Sequence, residues 1–121
     1  MAKAKWSEEE AVALYDLYFR YGGTYNVPEY ELQRLTKLYT MRAKTLALSF
    51  DIKFRNNSEL KMQLACIQYV VTNGTEGLSN PSKLFYDVYE TYKKHPDKFN
   101  AIIDDFNRKY NAVPKESCKS Q

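Results

Sequence analysis

Apolar side chains spaced three and four residues apart run through almost the whole chain, and that spacing commits it to helices. Ala11, Leu14, Tyr15, Tyr18 and Phe19 fall on one face of a first helix. Leu32, Leu35, Leu38 and Tyr39 do the same in a second, Leu84, Phe85, Val88, Tyr89 and Tyr92 further on, and Phe99, Ile102, Ile103, Phe106 and Tyr110 in a last. The punctuation agrees: four Gly and four Pro in 121 residues are too few for the turns of a sheet protein. No Pro/Gly/Ser-rich linker divides the sequence. The expected architecture is all-α, a single domain over residues 1–112 with five to six helices, followed by a polar tail, 113–121, read as disordered.

Helix boundaries can be read from caps. In Ser7-Glu8-Glu9-Glu10 the serine oxygen can accept the N–H of Glu10 while the Glu10 carboxylate reaches back to Ser7, a capping box. Gly22-Gly23 supplies the left-handed backbone of a helix stop. The second helix is expected from Pro28 to Thr40 or Met41, and a third from Arg42 into Phe54. A fourth, capped by Asn57 or Ser58, carries the stripes Leu60, Leu64, Ile67, Val71 and Met62, Ala65, Tyr69, which predicts that it is central. It stops near Asn73-Gly74. Asn80 or Ser82 caps a fifth, with Pro81 in its first turn, and Pro96 separates the sixth. Eleven of the aromatic residues are Tyr, expected as core rings whose hydroxyls reach water.

Charge is unevenly distributed. Residues 7–31 hold six acids and one base, residues 34–61 seven bases and two acids. On a wheel, the third helix places Ala43, Leu46, Ala47, Phe50 and Phe54 inward. Arg42, Thr45, Ser49, Lys53 and Asn56 line a separate face. The first three helices thus read as a helix-turn-helix-like unit, whose last helix enters the major groove of duplex DNA. Lys44, Arg55 and Lys61 would grip flanking phosphates, with Arg34 and Lys37 doing so from the second helix.

Chemistry is not indicated. The single histidine, His95, sits beside Pro96 at a helix junction, and Cys66 and Cys118 have no ligand-spaced partners, so no metal, cofactor or catalytic residue is expected. Cys66 reads as a buried thiol and Cys118 as an exposed one. No apolar run of signal or membrane-spanning length begins the chain, which is expected to be soluble and cytoplasmic.

Trp6-Ser7-x-Glu9-Glu10, Ala13-Leu14-x-Asp16-Leu17-Tyr18-Phe19 and Pro28-Glu29-x-Glu31-Leu32 together resemble the helical domain that precedes HNH-type endonuclease domains and occurs in restriction-associated proteins. Lys44-Thr45-Leu46-Ala47-Leu48-Ser49-Phe50 is similar to that family's third helix. Gly77-Leu78-Ser79-Asn80-Pro81-Ser82-Lys83-Leu84 is similar to its Gly-Leu-Ser-Asn-x-Ser-Lys-Leu segment. The likeness spans about Trp6 to Tyr92. It departs at Lys53-Phe54, where the family has Asn-Phe, and at Ser49 or Phe50, where Lys or Arg is common. The nuclease histidines have no counterpart here, so the resemblance implies double-stranded DNA binding without cleavage. The Gly77–Lys83 segment is expected to be a structural turn to which Lys83 adds a phosphate contact. The rival reading keeps the scaffold and changes the partner: an accessory or phage-type interaction module or inhibitor that binds a host or nuclease protein.

Overall fold

Ser7 opens the first helix as its sequence predicts, accepting the N–H of Glu10 while Glu10 accepts the N–H of Ser7 at 3.0 Å. A computed structural model describes residues 5–23 and 26–110, so the predicted tail and Cys118 lie outside the described residues. Five helices follow in order: α1 (Glu8–Arg20), α2 (Glu29–Thr45), α3 (Asn57–Val71), α4 (Lys83–Lys94) and α5 (Pro96–Tyr110). Among the described residues there is no strand, and the all-α expectation holds. No described helix is long and apolar enough to cross a membrane.

The central helix is α1, not the one carrying Leu60–Val71. It packs against α3, α4 and α5, and Ala11, Val12, Ala13, Leu14, Tyr15, Leu17 and Tyr18 are all buried. Small residues at 11 and 13 let neighbours approach on sides that a simple stripe would leave to solvent. α3 instead leaves Met62 exposed. The tyrosines also depart from expectation. Tyr15 and Tyr39 are fully buried, and their hydroxyls donate to the carbonyls of Phe85 (2.7 Å) and Glu10 (2.6 Å) rather than to water. Each such bond satisfies a phenol that burial would otherwise penalise. Burial also raises both phenol pKa values well above the ordinary range. Three boundaries shift slightly: Pro28 is the N-cap of α2 rather than its first residue; Asn56, expected on the duplex face, caps α3 in place of Asn57 or Ser58 by accepting the N–H of Glu59 at 2.9 Å; and α4 begins at Lys83, leaving Pro81 outside.

The expected third helix, Arg42 into Phe54, does not form, so neither does the helix-turn-helix-like unit. α2 continues to Thr45 and stops; residues 46–56 are an irregular connection. The stop is a Schellman motif. The N–H of Leu48 donates to Ala43 (2.8 Å) and that of Ala47 to Lys44 (3.1 Å), with Ala47 left-handed at φ 57°. The same pair of bonds ends α1, from Gly23 to Tyr18 and Gly22 to Phe19, and ends α3, from Gly74 to Tyr69 and Asn73 to Val70. Gly22 and Asn73 occupy the left-handed position in those two, residues that advertise a stop. Alanine does not.

Distance explains why the chain must turn. Arg42 and Arg55 both approach the carboxylate of Glu10, at 3.8 and 3.0 Å. A straight helix through both would separate their backbones by about 20 Å at ~1.5 Å per residue, so the convergence requires a break between them. Ala47→Gly gives a test whose sign decides between the two conformations. It is expected to raise stability by about 0.5–1 kcal/mol, because glycine adopts φ > 0 without strain. In a continuous helix the same change would lower stability by about 1 kcal/mol. Urea denaturation midpoints distinguish them.

Candidate nucleic-acid interface and the buried arginine

Arg55 was expected to face a duplex, but it lies at the centre of the molecule, 1% exposed. Its Nε and Nη2 donate to the two oxygens of Glu10 at 3.0 and 3.2 Å, a bidentate pair. Nη1 donates to Glu59 (3.2 Å), and Nη2 also reaches the carbonyl of Lys5 (3.1 Å). The guanidinium carbon lies 4.4 Å from the Trp6 ring centroid and 4.6 Å from that of Phe54. Trp6 Nε1 donates to Glu59 at 3.2 Å. Glu10 therefore closes the cap of α1 and neutralises Arg55 with one carboxylate. Arg55 is itself left-handed, at φ 49°, a conformation held in place by these contacts.

The opposite charges of the two sequence blocks answer one another, largely buried at Arg42 and on the surface at Lys61. Arg42 pairs with Glu9 and, at 3.8 Å, with Glu10; Arg34 pairs with Glu31; Lys61 approaches Glu29 at 3.6 Å. The half-buried carboxylate of Glu31 illustrates the balance. Burial raises its pKa, but hydrogen bonds from Tyr21 and Arg34 and the charges of Arg34 and Arg20 outweigh that and hold it below the usual carboxylate range. Lys83 is exposed and pairs with Asp87 on its own helix at 2.9 Å. Burial raises the Cys66 thiol above its ordinary pKa, the opposite of what a nucleophile needs.

What the structure leaves outward is a smaller set. Lys44 and Thr45 end α2, Ser49 and Lys53 lie in the connection that follows, and all four are exposed. Lys37 sits seven residues before Lys44 and so shares its face of α2. Lys37, Lys44 and Lys53 have no carboxylate in ion-pair range among the described residues. The six expected contact residues of the stretch from Arg42 to Arg55 are thus divided: Lys44, Thr45, Ser49 and Lys53 remain available, while Arg42 and Arg55 are committed internally. The connection also exposes Leu46 and Phe50, which the wheel directs inward, together with Leu48 and Ile52. No sequence signal separates these exposed apolar residues from core ones; only the break at Ala47 does.

Within the Gly77–Lys83 segment the turn at Gly77 forms as expected, while the N-cap of α4 is Ser82 rather than Asn80 and Pro81 stays outside the helix. A Cβ on Gly77, at φ +94°, would lie 2.4 Å from the carbonyl oxygen of Ala65 and 2.6 Å from the amide of Tyr69. Only glycine permits that approach, which also lets the N–H of Leu78 donate to Ala65 at 3.0 Å. No protein-family model matches the chain, and no curated protein or solved structure matches it either.

Two stability measurements test this geometry. Arg55→Ala strands two carboxylates and is expected to cost about 3–5 kcal/mol, whereas Lys53→Ala should change stability by less than about 0.5 kcal/mol. Equal midpoints for the two variants would return Arg55 to the surface. Gly77→Ala is expected to cost about 2 kcal/mol or more because backbone must move. Gly22→Ala, left-handed but facing open space, should cost only about 1 kcal/mol.

Proposed function

We propose that the chain is a non-catalytic module that binds duplex DNA through the C-terminal end of α2 and the connection after it. The observation that carries this reading is the set Lys37, Lys44 and Lys53: cations without a counter-charge among the described residues, in a fold that pairs most of the others. Thr45 and Ser49 add exposed hydroxyls beside them, groups that donate to phosphate oxygens. The likeness to helical domains found ahead of HNH-type nucleases supports the same partner. In this reading the protein acts inside the cell as a regulator, or as a part of a mobile-element or restriction-linked system. Binding dominated by phosphate contacts is non-specific or weakly specific, and strongly dependent on salt.

A different observation favours the interaction-module reading. Val27, Pro28, Met62, Ala65 and Leu78 line a groove of about 840 Å³ between the start of α2, α3 and the loop before α4. Met62 and Leu78 are both exposed there, a surface suited to a host or nuclease protein.

The DNA reading is tested with the lysines rather than the arginines, since Arg42 and Arg55 are structural. With three phosphate contacts the logarithm of affinity should fall with that of salt at a slope of about −3. Lys37→Gln, Lys44→Gln and Lys53→Gln combined should flatten that slope toward zero and weaken retention of duplex DNA in a gel shift, with helicity and melting unchanged. A triple variant that binds as the parent does, or a partner captured from nuclease-treated lysate in place of DNA, would overturn the assignment in favour of the groove.

A further inference from the structure

The connection between α2 and α3 displays an apolar tip between its cations. Ile52 is 96% exposed, and Leu46 and Leu48 are exposed as well. Phe50 is held from behind, its ring 5.3 Å from Phe54, which in turn lies against Arg55. The tip is therefore braced by the buried cluster. Its backbone is also unspent: the N–H groups of Ser49, Phe50 and Ile52 donate to no acceptor among the described residues. Exposed bulky apolar residues clustered in one short segment mark a surface completed by a partner, and the exposed N–H groups beside them, hydrated in the free protein, can serve a partner's acceptors.

Charge decides which partner. Lys44 stands at one end of the segment and Lys53 at the other, both without an acid in range among the described residues, and Lys37 continues the series along α2. Asp51 is the one acid in the tip, and its Oδ1 is already occupied by the N–H of Lys53 at 2.9 Å. A second copy docked tip to tip across a two-fold axis would bring two copies of the same basic patch together, which like charges oppose. A polyanion with apolar surface between its charges has the complementary pattern, and duplex DNA is such a polymer: phosphates outside, stacked bases within.

We infer that Ile52, supported by Leu48 and Phe50, is an apolar wedge that enters between base pairs while Lys44 and Lys53 hold the flanking phosphates. This rests on the DNA-binding reading and adds to it a deformation: side chains inserted from a groove unstack a step, kink the duplex and unwind it. Phosphate contacts alone do not part a stacked step.

Unwinding can be read without knowing a binding site. Nicked-and-closed plasmid is relaxed with a topoisomerase in the presence of the protein, then deproteinised and resolved by linking number. The full chain is expected to shift the topoisomer ladder in proportion to occupancy, occupancy being measured by gel shift in the same buffer. Ile52→Ser, which removes an exposed side chain and so keeps its melting temperature, is expected to lose the shift at matched occupancy while its salt slope persists. DNA bound by the parent without a ladder shift, or a shift that Ile52→Ser retains, overturns the wedge and leaves DNA binding standing. Failure of the parent to retain DNA at low salt overturns both. A dimer that Ile52→Ser dissociates, or sedimentation of the parent with phosphatidylserine vesicles, without unwinding, assigns the tip elsewhere and also overturns the wedge.

Discussion

The bidentate pair between Arg55 and Glu10 determines more of this molecule than any other contact. One carboxylate, placed in the first turn of α1 by its own cap, draws in a guanidinium from forty-five residues further along the chain. To reach it, the backbone leaves helical geometry after Thr45, crosses in an irregular segment and re-enters a helix at Asn57. Glu59, in the first turn of α3, completes the neutralisation and ties Trp6 to the same point. α1, the long connection and α3 are thereby fixed to each other through charged groups that burial would otherwise make prohibitive. The stacking of Trp6 and Phe54 on the guanidinium excludes water from that site and strengthens the attraction within it.

A second layer of order comes from aromatic rings. Phe19 stacks on Tyr92 at 4.3 Å, Tyr92 meets Phe99 edge-on at 5.1 Å, and Trp6 touches both Tyr39 and Phe85. These contacts join α1, α4 and α5 where His95 alone separates the last two helices. The hydroxyls of Tyr15 and Tyr39 bond to backbone carbonyls of other helices, so rings that fill the core also set its register.

Much of this was legible in the amino-acid sequence, for local reasons. The Ser7–Glu10 cap, the stop at Gly22, the start near Asn57, the stop near Asn73 and the helix after Pro96 all depend on residues within a turn of the boundary. The break at Ala47 was not legible. Its hydrogen bonds match those at Gly22 and Asn73, but its cause is a charge far away in sequence, and alanine is an ordinary helix residue. Periodicity therefore ran on through Leu46 to Phe54, and the imagined helix carried Arg42 and Arg55 outward. The signal that could have corrected it was present: an acidic block and a basic block of equal size in one small chain can neutralise each other. Lys44, Thr45, Ser49 and Lys53 kept their predicted exposure because side chains near a helix end or in a connection stay outside in either conformation.

The connection between α2 and α3 has both ends anchored and its middle free. Ala47 closes one end with backbone bonds, and Arg55 holds the other through the core. Whatever lies between contributes little to the folded state, as the exposure of Ile52 shows. Such a segment is open to evolutionary change: residues at its tip can be exchanged, and the surface given new preferences, without disturbing the scaffold that presents it. In this chain the freedom to vary and the obligation to fold fall on neighbouring residues, with the boundary between them at Lys53 and Phe54.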